Sequence, residues 1–417
     1  MRYGVDMRLC PKLIIMRSPF QRKLMLAVWL GMVLIAGNAQ AQASPAAPRS
    51  LKPRGAADVG TAYAGRADVV DFARRTAADR ELDPRWVRRQ LAGAKRLPAV
   101  QRLIMPPPVG TAKNWGAYRD RFLTSQRVQA GVEFWQQNER WLQAAQARWG
   151  VPPEVIVGIV GVETFYGRIM GTFRVLDALA TLSFDFPSGR SDRSEFFREQ
   201  LTELLVLAHR QRTDPATWRG SYAGAMGLPQ FMPGNVNRLA IDFDEDGRID
   251  LYTSAPDVIG SVAHFLADAG WVSDLPARHE VQLPLQALDL PTLLAPDIRP
   301  SFTADQLRAQ GVKLSDEPAA AAAGDGLLAL VELQMGEAPP TYVAGTQNFW
   351  VLSRYNRSSY YVMAVLSLGE EVKRQRLQSG SAKGVAVEDG ANIADAAPAR
   401  TVTLARCKPR TGRCAQA

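Results

Sequence analysis

Cysteine and histidine are scarce, at three of each in 417 residues. His209, His264 and His279 are scattered without ligand spacing, which argues against a zinc site and against a His-based triad. Cys10 stands far from Cys407 and Cys414, so no disulfide framework staples the body of the chain. No Gly-rich stretch follows a strand and opens a helix in the phosphate-binding manner, so no nucleotide is expected. A basic patch interleaved with aromatics is missing, and nucleic acid is therefore not an expected partner. Internal repeats are absent. Long apolar runs are lacking too. The exception, Leu24–Ala36, is too short and too closely followed by small polar residues to make a good spanning helix.

What surrounds that run is informative. Arg17, Arg22 and Lys23 precede it and Ala39-Gln40-Ala41 follows, the layout of a secretory signal peptide over residues 1–41. Met16 is a candidate start, since residues 1–15 add nothing to this layout. An uncleaved anchor is the alternative. No cysteine follows the run, so no lipid anchor is expected there, and cleavage near Ala41 leaves a soluble protein without an integral membrane span. Export would permit a bridge between Cys407 and Cys414. The formal charge of +9 falls to +4 once residues 1–41 are removed, leaving 44 Lys/Arg against 40 Asp/Glu. That weak surplus suits an anionic wall or membrane face. Hydrophobic residues at 47% and charged residues at 22% give an ordinary globular balance, and the length allows two or three domains.

The expected fold class is mainly α with a small β subdomain. A flexible leader covers 42–65, with Ala, Pro, Ser and Gly concentrated in it. Residues 66–150 form a helical domain. Val69, Val70, Phe72 and Ala73 recur at helical spacing, as do Trp86, Val87 and Leu91, and Asp83-Pro84 reads as an N-cap with Pro at the first helical position. Val128–Arg148 reads as one long helix. Residues 151–271 are mostly helical and carry the densest motifs. Composition then shifts: Glu280–Leu288 alternates, Leu327–Gln334 is apolar, and Thr341–Leu352 carries Tyr, Val, Thr, Phe and Trp, which predicts strands of a small sheet within 272–345. Ala319–Ala323 is a short helix or a loop. Residues 346–376 return to the helical core with a last helix near 358–376, and 377–417 is expected to be a disordered tail.

The segment Pro152–Arg168 carries the chemistry. Its β-branched content suggests a strand, but the paired prolines and its length favour a helix. On that helix Ile156, Ile159, Val160 and Glu163 share a face. A carboxylate at the end of an apolar face needs a reason, because burying it unpaired is costly. One reason is a structural ion pair with Arg168 or another base. The other is catalytic: among apolar neighbours the pKa rises, and the group can act as a general acid toward a glycosidic oxygen. Gly158, Gly161 and Gly167 would let backbone or substrate approach closely.

Gly161–Arg168 (GVETFYGR) resembles the catalytic motif of the membrane-bound lytic murein transglycosylase B family. Leu176–Phe184, Gly220–Pro233 and Asn348–Asn356 are similar to further motifs of that family, and the resemblance runs in order from about 66 to 376. It implies a lysozyme-like catalytic core and a periplasmic enzyme acting on peptidoglycan glycan strands, with cell-wall synthesis proteins as candidate partners. The expected reaction cuts the MurNAc–GlcNAc bond and leaves 1,6-anhydro ends, with Glu163 as lone acid and then base. A hydrolytic muramidase or a non-catalytic wall-binding scaffold are the alternatives. Asp177 and Asp185 are candidate second acids whose contexts look structural.

The resemblance also places Ser221 and Gln230 near Glu163, with Met226 and Phe231 lining the cleft. It has Tyr118, Tyr355, Asn356 and Tyr361 reaching substrate, tyrosine offering an apolar face with a polar tip. Gln230 has two donors and an acceptor for sugar groups. Phe265 stands where some relatives have Tyr. Asp242, Asp244, Asp246, Gly247 and Asp250 occupy positions 1, 3, 5, 6 and 9 of an EF-hand-like loop. Arg248 joins the ligand set, position 12 is Thr253 instead of Glu, and Asp257 is the acid that closes the site. A structural Ca2+ is expected; no organic cofactor is.

Overall fold

The computed structural model describes residues 63–106, 113–284, 288–315 and 326–388. The signal peptide, most of the leader, the three cysteines, the Ala319–Ala323 run and the chain beyond 388 lie outside the described residues. Residues to Gln375 form one compact unit; the second, from Arg376, is described only as the end of a helix.

The first helices follow their sequence signals. Ala67–Asp79 buries Val69, Phe72 and Ala73, and Pro84–Ala92 starts where the Asp83 side chain accepts from Arg85 N at 2.9 Å. The expected single helix over Val128–Arg148 is instead two, Ser125–Gln137 and Glu139–Trp149. Between them Asn138 leaves helical geometry at φ −120° and ψ 19°, and its side chain donates to Phe134 O at 2.9 Å. Asn competes for backbone groups in this way and weakens helix interiors. Val132, Trp135, Leu142 and Ala145 stay buried across the break.

Pro153–Thr164 is a helix despite its β-branched residues, with Pro153 in the first turn. It is buried nearly all round, so packing decides its conformation. Gly158 and Gly161 serve that packing. A Cβ on Gly158 would run into the Val365 carbonyl oxygen, and one on Gly369 would meet that of Glu154, so this helix and Ser359–Glu388 approach backbone to backbone. Gly131 and Gly161 leave room for the Tyr166 hydroxyl. Close approach there is by protein, not by substrate.

Among the described residues two small sheets complete the fold. Strands β1 (Phe173–Arg174) and β2 (Arg219–Gly220) pair antiparallel beside the helices Val175–Phe184 and Ser194–Arg210. The larger sheet has the order β4-β3-β6-β5, all antiparallel, from β3 (Arg278–Gln282), β4 (Lys313–Leu314), β5 (Ala329–Met335) and β6 (Ala338–Gly345). A separate small core, with Leu293, Leu307, Leu330 and Tyr342, lies beneath it. The strand expected over Thr341–Leu352 stops at Gly345. Thr346 then caps the helix Gln347–Tyr355 by accepting from Asn348 N at 3.1 Å, and Phe349, Val351 and Leu352 are buried on a helix. Burial outweighs the β propensity of these residues. The last helix runs on to Glu388, past the expected end near 376.

Candidate active site

Glu163 sits in the last turn of Pro153–Thr164. The chain then turns sharply, with Phe165, Tyr166 and Gly167 at φ 52°, 55° and 87°. Two bulky residues in the left-handed region are costly and persist only where surroundings hold them. Here Thr164 does so: its hydroxyl donates to Leu228 O at 2.9 Å and accepts from Gly167 N at 3.2 Å. The Tyr166 ring stacks on Phe134 at 5.4 Å.

The alternative weighed for Glu163, a structural ion pair with Arg168, is not formed. Arg168 lies over the Phe165 ring and 3.9 Å from Glu133. Glu163 keeps a narrow opening to solvent, yet burial pushes its pKa up to about 7. The neighbouring Tyr361 hydroxyl works the other way and lowers it; that hydroxyl forms no well-aligned hydrogen bond. Burial raises the Tyr118, Tyr355 and Tyr361 phenols, with the Glu163 charge as the next cause. These three tyrosines therefore surround the carboxyl as neutral groups.

The other site residues divide by exposure. Tyr118 is half-buried in a ring cluster with Trp115, Phe122 and Tyr360. Tyr355, Tyr361 and Asn356 are buried instead of open to substrate, and the Tyr355 hydroxyl donates to the Pro229 carbonyl. Met226 and Phe231 are also buried, at 2% and 1% exposure, and pair through backbone hydrogen bonds at 2.8 and 3.1 Å. Phe231 packs against Tyr355 and Phe265, and neither Met226 nor Phe231 offers the cleft surface expected from the resemblance. The Ser221 hydroxyl accepts from Ala225 N at 3.0 Å and from Ala223 N at 3.3 Å, which folds the Gly-rich loop. Gln230, at φ 52°, donates its amide to Gly227 O and Met170 O at 2.8 and 3.2 Å, so its side-chain oxygen is what remains for a ligand. Asp177 accepts from Lys95 N at 3.0 Å and Asp185 pairs with Arg66 at 3.0 Å, both away from Glu163 in structural roles. Sequence reasoning missed Thr164, Trp115 and Tyr360; Thr164 and Tyr360 each adjoin a residue it singled out.

In the acidic loop, oxygens of Asp242, Asp244 and Asp257 lie within 4.8 Å of one another. Asp257, 1% exposed, accepts from Phe243 N and Asp250 N at 2.8 Å each, and burial raises its pKa. One Asp244 oxygen is buried without a partner. Three other expected ligands are not in this cluster. Asp246 caps Arg248 N at 2.9 Å and pairs with the Arg248 side chain, while Asp250 caps Tyr252 N and Thr253 N at 2.8 and 3.0 Å.

One desolvated carboxyl among neutral phenols, in a helical fold with a small sheet, fits a glycan-cleaving enzyme of the lysozyme-like class. Residues 64–370 match the transglycosylase SLT domain. The chain is 38% identical over 328 residues to membrane-bound lytic murein transglycosylase B of Escherichia coli (strain K12), covering 77% of this chain and 86% of that one. It is 36% identical to the E. coli lytic transglycosylase Slt35, covering 76% of this chain and 96% of that one. Slt35 was solved with bulgecin A (TM-score 0.68) and with calcium (0.65). SltB3 from Pseudomonas aeruginosa, solved with NAG-anhNAM-pentapeptide, is 28% identical with a TM-score of 0.61, covering 73% of this chain and 78% of that one. The chain belongs to the membrane-bound lytic murein transglycosylase B family. It is a peptidoglycan lytic transglycosylase.

Proposed function

We propose that Glu163 carries both proton transfers. Protonated, it gives its proton to the oxygen linking MurNAc to GlcNAc as the C1–O bond breaks. The resulting carboxylate then takes the proton of the C6 hydroxyl while O6 bonds to C1. The product is a 1,6-anhydro sugar, the acid is regenerated and no water is consumed. The observation that carries this reading is a buried carboxyl with a pKa of about 7, while the candidate second acids from the sequence, Asp177 and Asp185, are bound elsewhere. Gln230 and Tyr118 are the polar groups that would hold the sugars, with Tyr361 and Tyr355 shaping the pocket behind the carboxyl.

Asp242, Asp244 and Asp257 would hold a Ca2+ ion. The orphaned Asp244 oxygen and the all-oxygen donor set fit a hard cation, which would cancel the repulsion among three carboxylates and fix the loop. No described helix is long and apolar enough to cross a membrane. The reading places the mature enzyme in the periplasm, acting on glycan strands. Mass spectrometry of digested sacculi is the test. Anhydromuropeptides are expected from the wild type and, at a rate lower by about 10²–10⁴, from Glu163→Gln; reducing MurNAc ends without anhydro sugar would identify a hydrolytic muramidase instead.

A further inference from the structure

A hollow between the helix Pro84–Ala92 and the end of the helix Ser194–Arg210 has no part in the proton transfers, and neither helix carries a residue of the Glu163 site. Trp86, Gln90, His209, Arg212, Thr213 and Asp214 line about 650 Å³ of space there. Small-ligand sites usually enclose about 300–1,000 Å³. Trp86 and Gln90 stand four positions apart and so share one helix face. Trp86 is half-buried: part of its ring packs on the main core, and the His209 ring meets it edge to face at 5.6 Å.

Folding alone does not account for Arg212. The helix Ser194–Arg210 ends in a Schellman turn, in which Arg212 N donates to His209 O at 3.2 Å and Thr213 N to Ala208 O at 2.9 Å. Arg212 holds φ 52° there, a left-handed conformation that glycine adopts without strain and a long side chain does not. Strain kept at the wall of a cavity points to a ligand. Arg212 is exposed and forms no ion pair among the described residues. The polar groups around it suit a neutral, hydroxyl-rich molecule. Arg212, the Trp86 indole N–H and the Gln90 amide donate, while the Gln90 and Thr213 oxygens accept. Asp214 accepts from Ala216 N at 2.9 Å through one oxygen and keeps the other. Arg212 and Asp214 together bring no net charge, so an anion gains little here. The flat apolar indole matches the C–H face of a sugar ring.

We infer that this hollow is a second glycan-holding site, which binds the N-acetylated sugars of a strand away from the Glu163 cleft. It goes beyond the reading of Glu163 and does not depend on it. A strand held at two points is present at the cleft at a higher effective concentration than one held at the cleft alone.

Cleavage is compared on two peptide-free substrates, long glycan strands and soluble strands too short to reach both sites. Trp86→Ala should lower the ratio of kcat/KM on long strands to that on short ones about tenfold, the scale of losing one aromatic anchor. Arg212→Gly should lower the same ratio several-fold yet melt at or above the wild-type temperature, because glycine relieves the turn. An unchanged ratio in either folded variant, with both rates equal to the wild type or lowered together, would overturn the proposal. A lower melting temperature for Arg212→Gly would make that arginine structural and remove it from the site. A ratio that falls only when the strands carry peptide would make the hollow a peptide site and defeat the sugar assignment. Co-sedimentation of Glu163→Gln with long peptide-free strands, alone and combined with Trp86→Ala, repeats the comparison without cleavage. It decides the hollow even if the wild type forms no anhydro product and the reading of Glu163 fails.

Discussion

The Thr164 hydroxyl donates to the Leu228 carbonyl at 2.9 Å, joining the end of the helix that carries Glu163 to the loop that carries Gln230. Leu228 N in turn donates to Leu251 O at 2.8 Å, next to Asp250 of the acidic loop. The Glu163 helix, the Gly-rich loop and the acidic loop are thus linked by two successive hydrogen bonds.

Thr164→Val keeps the shape of that side chain and removes the donor. The buried Leu228 carbonyl is left unsatisfied, which costs about 1–3 kcal/mol. A melting temperature several degrees lower is expected, together with a pH–rate profile whose alkaline limb moves toward acid as water reaches Glu163. Thr164→Ser should restore both. An unchanged profile in a folded Val variant would detach this clasp from catalysis.

Activity should follow the protonated fraction of Glu163. Its pKa of about 7 makes kcat/KM fall as pH rises through neutrality. Stability has the same sign. The folded carboxyl holds its proton between the ordinary value of 4.5 and about 7, where the unfolded one has lost it. Folding is thus favoured below that window and weakened as pH climbs across it. Glu163→Gln should cut the rate by about 10²–10⁴ and, above neutral pH, melt higher than the wild type. Rates rising through pH 7 would contradict the assignment.

Millimolar Ca2+ should raise the melting temperature, and a chelator should reverse the rise, since a ligand that binds only the folded chain stabilises it. Asp257→Asn should abolish the response, because Asp257 both orders the loop backbone and faces Asp242 and Asp244. Neither binding heat nor a melting shift in calorimetry would remove the ion from this loop.

Gly158→Ala puts a methyl group against the Val365 carbonyl, where neither backbone can easily yield. A loss of about 3 kcal/mol or more is expected from such overpacking, measured by denaturant titration. Gly167→Ala meets only the Leu228 side chain at 3.4 Å, but its φ of 87° is itself unfavourable for alanine. Its cost should be near 1 kcal/mol.

The helical character of 66–271 was legible because periodicity and caps such as Asp83 agree with burial. Glu163 stood out for the same reason, an acid on an apolar stripe. The break at Asn138 was hidden because a single residue leaving the helix barely disturbs the apolar pattern. The helix Gln347–Tyr355 was misread because Phe349, Trp350 and Val351 favour strands in isolation, and only the Thr346 cap and the burial of Phe349 and Val351 reverse this. At the site, side-chain identity did not reveal direction. Met226 and Phe231 turn inward, and Gln230 and Ser221 hold their own loop, because backbone groups in a tight turn need partners before any sugar does.

The glycine contact between Gly158 and the strand-distant Val365 has a bearing on timing. The segment that bears the acid cannot seat until residues some two hundred positions later have been synthesised. An unfinished chain therefore carries Glu163 without the wall that desolvates it. Glycan cleavage therefore waits on synthesis of the helix Ser359–Glu388.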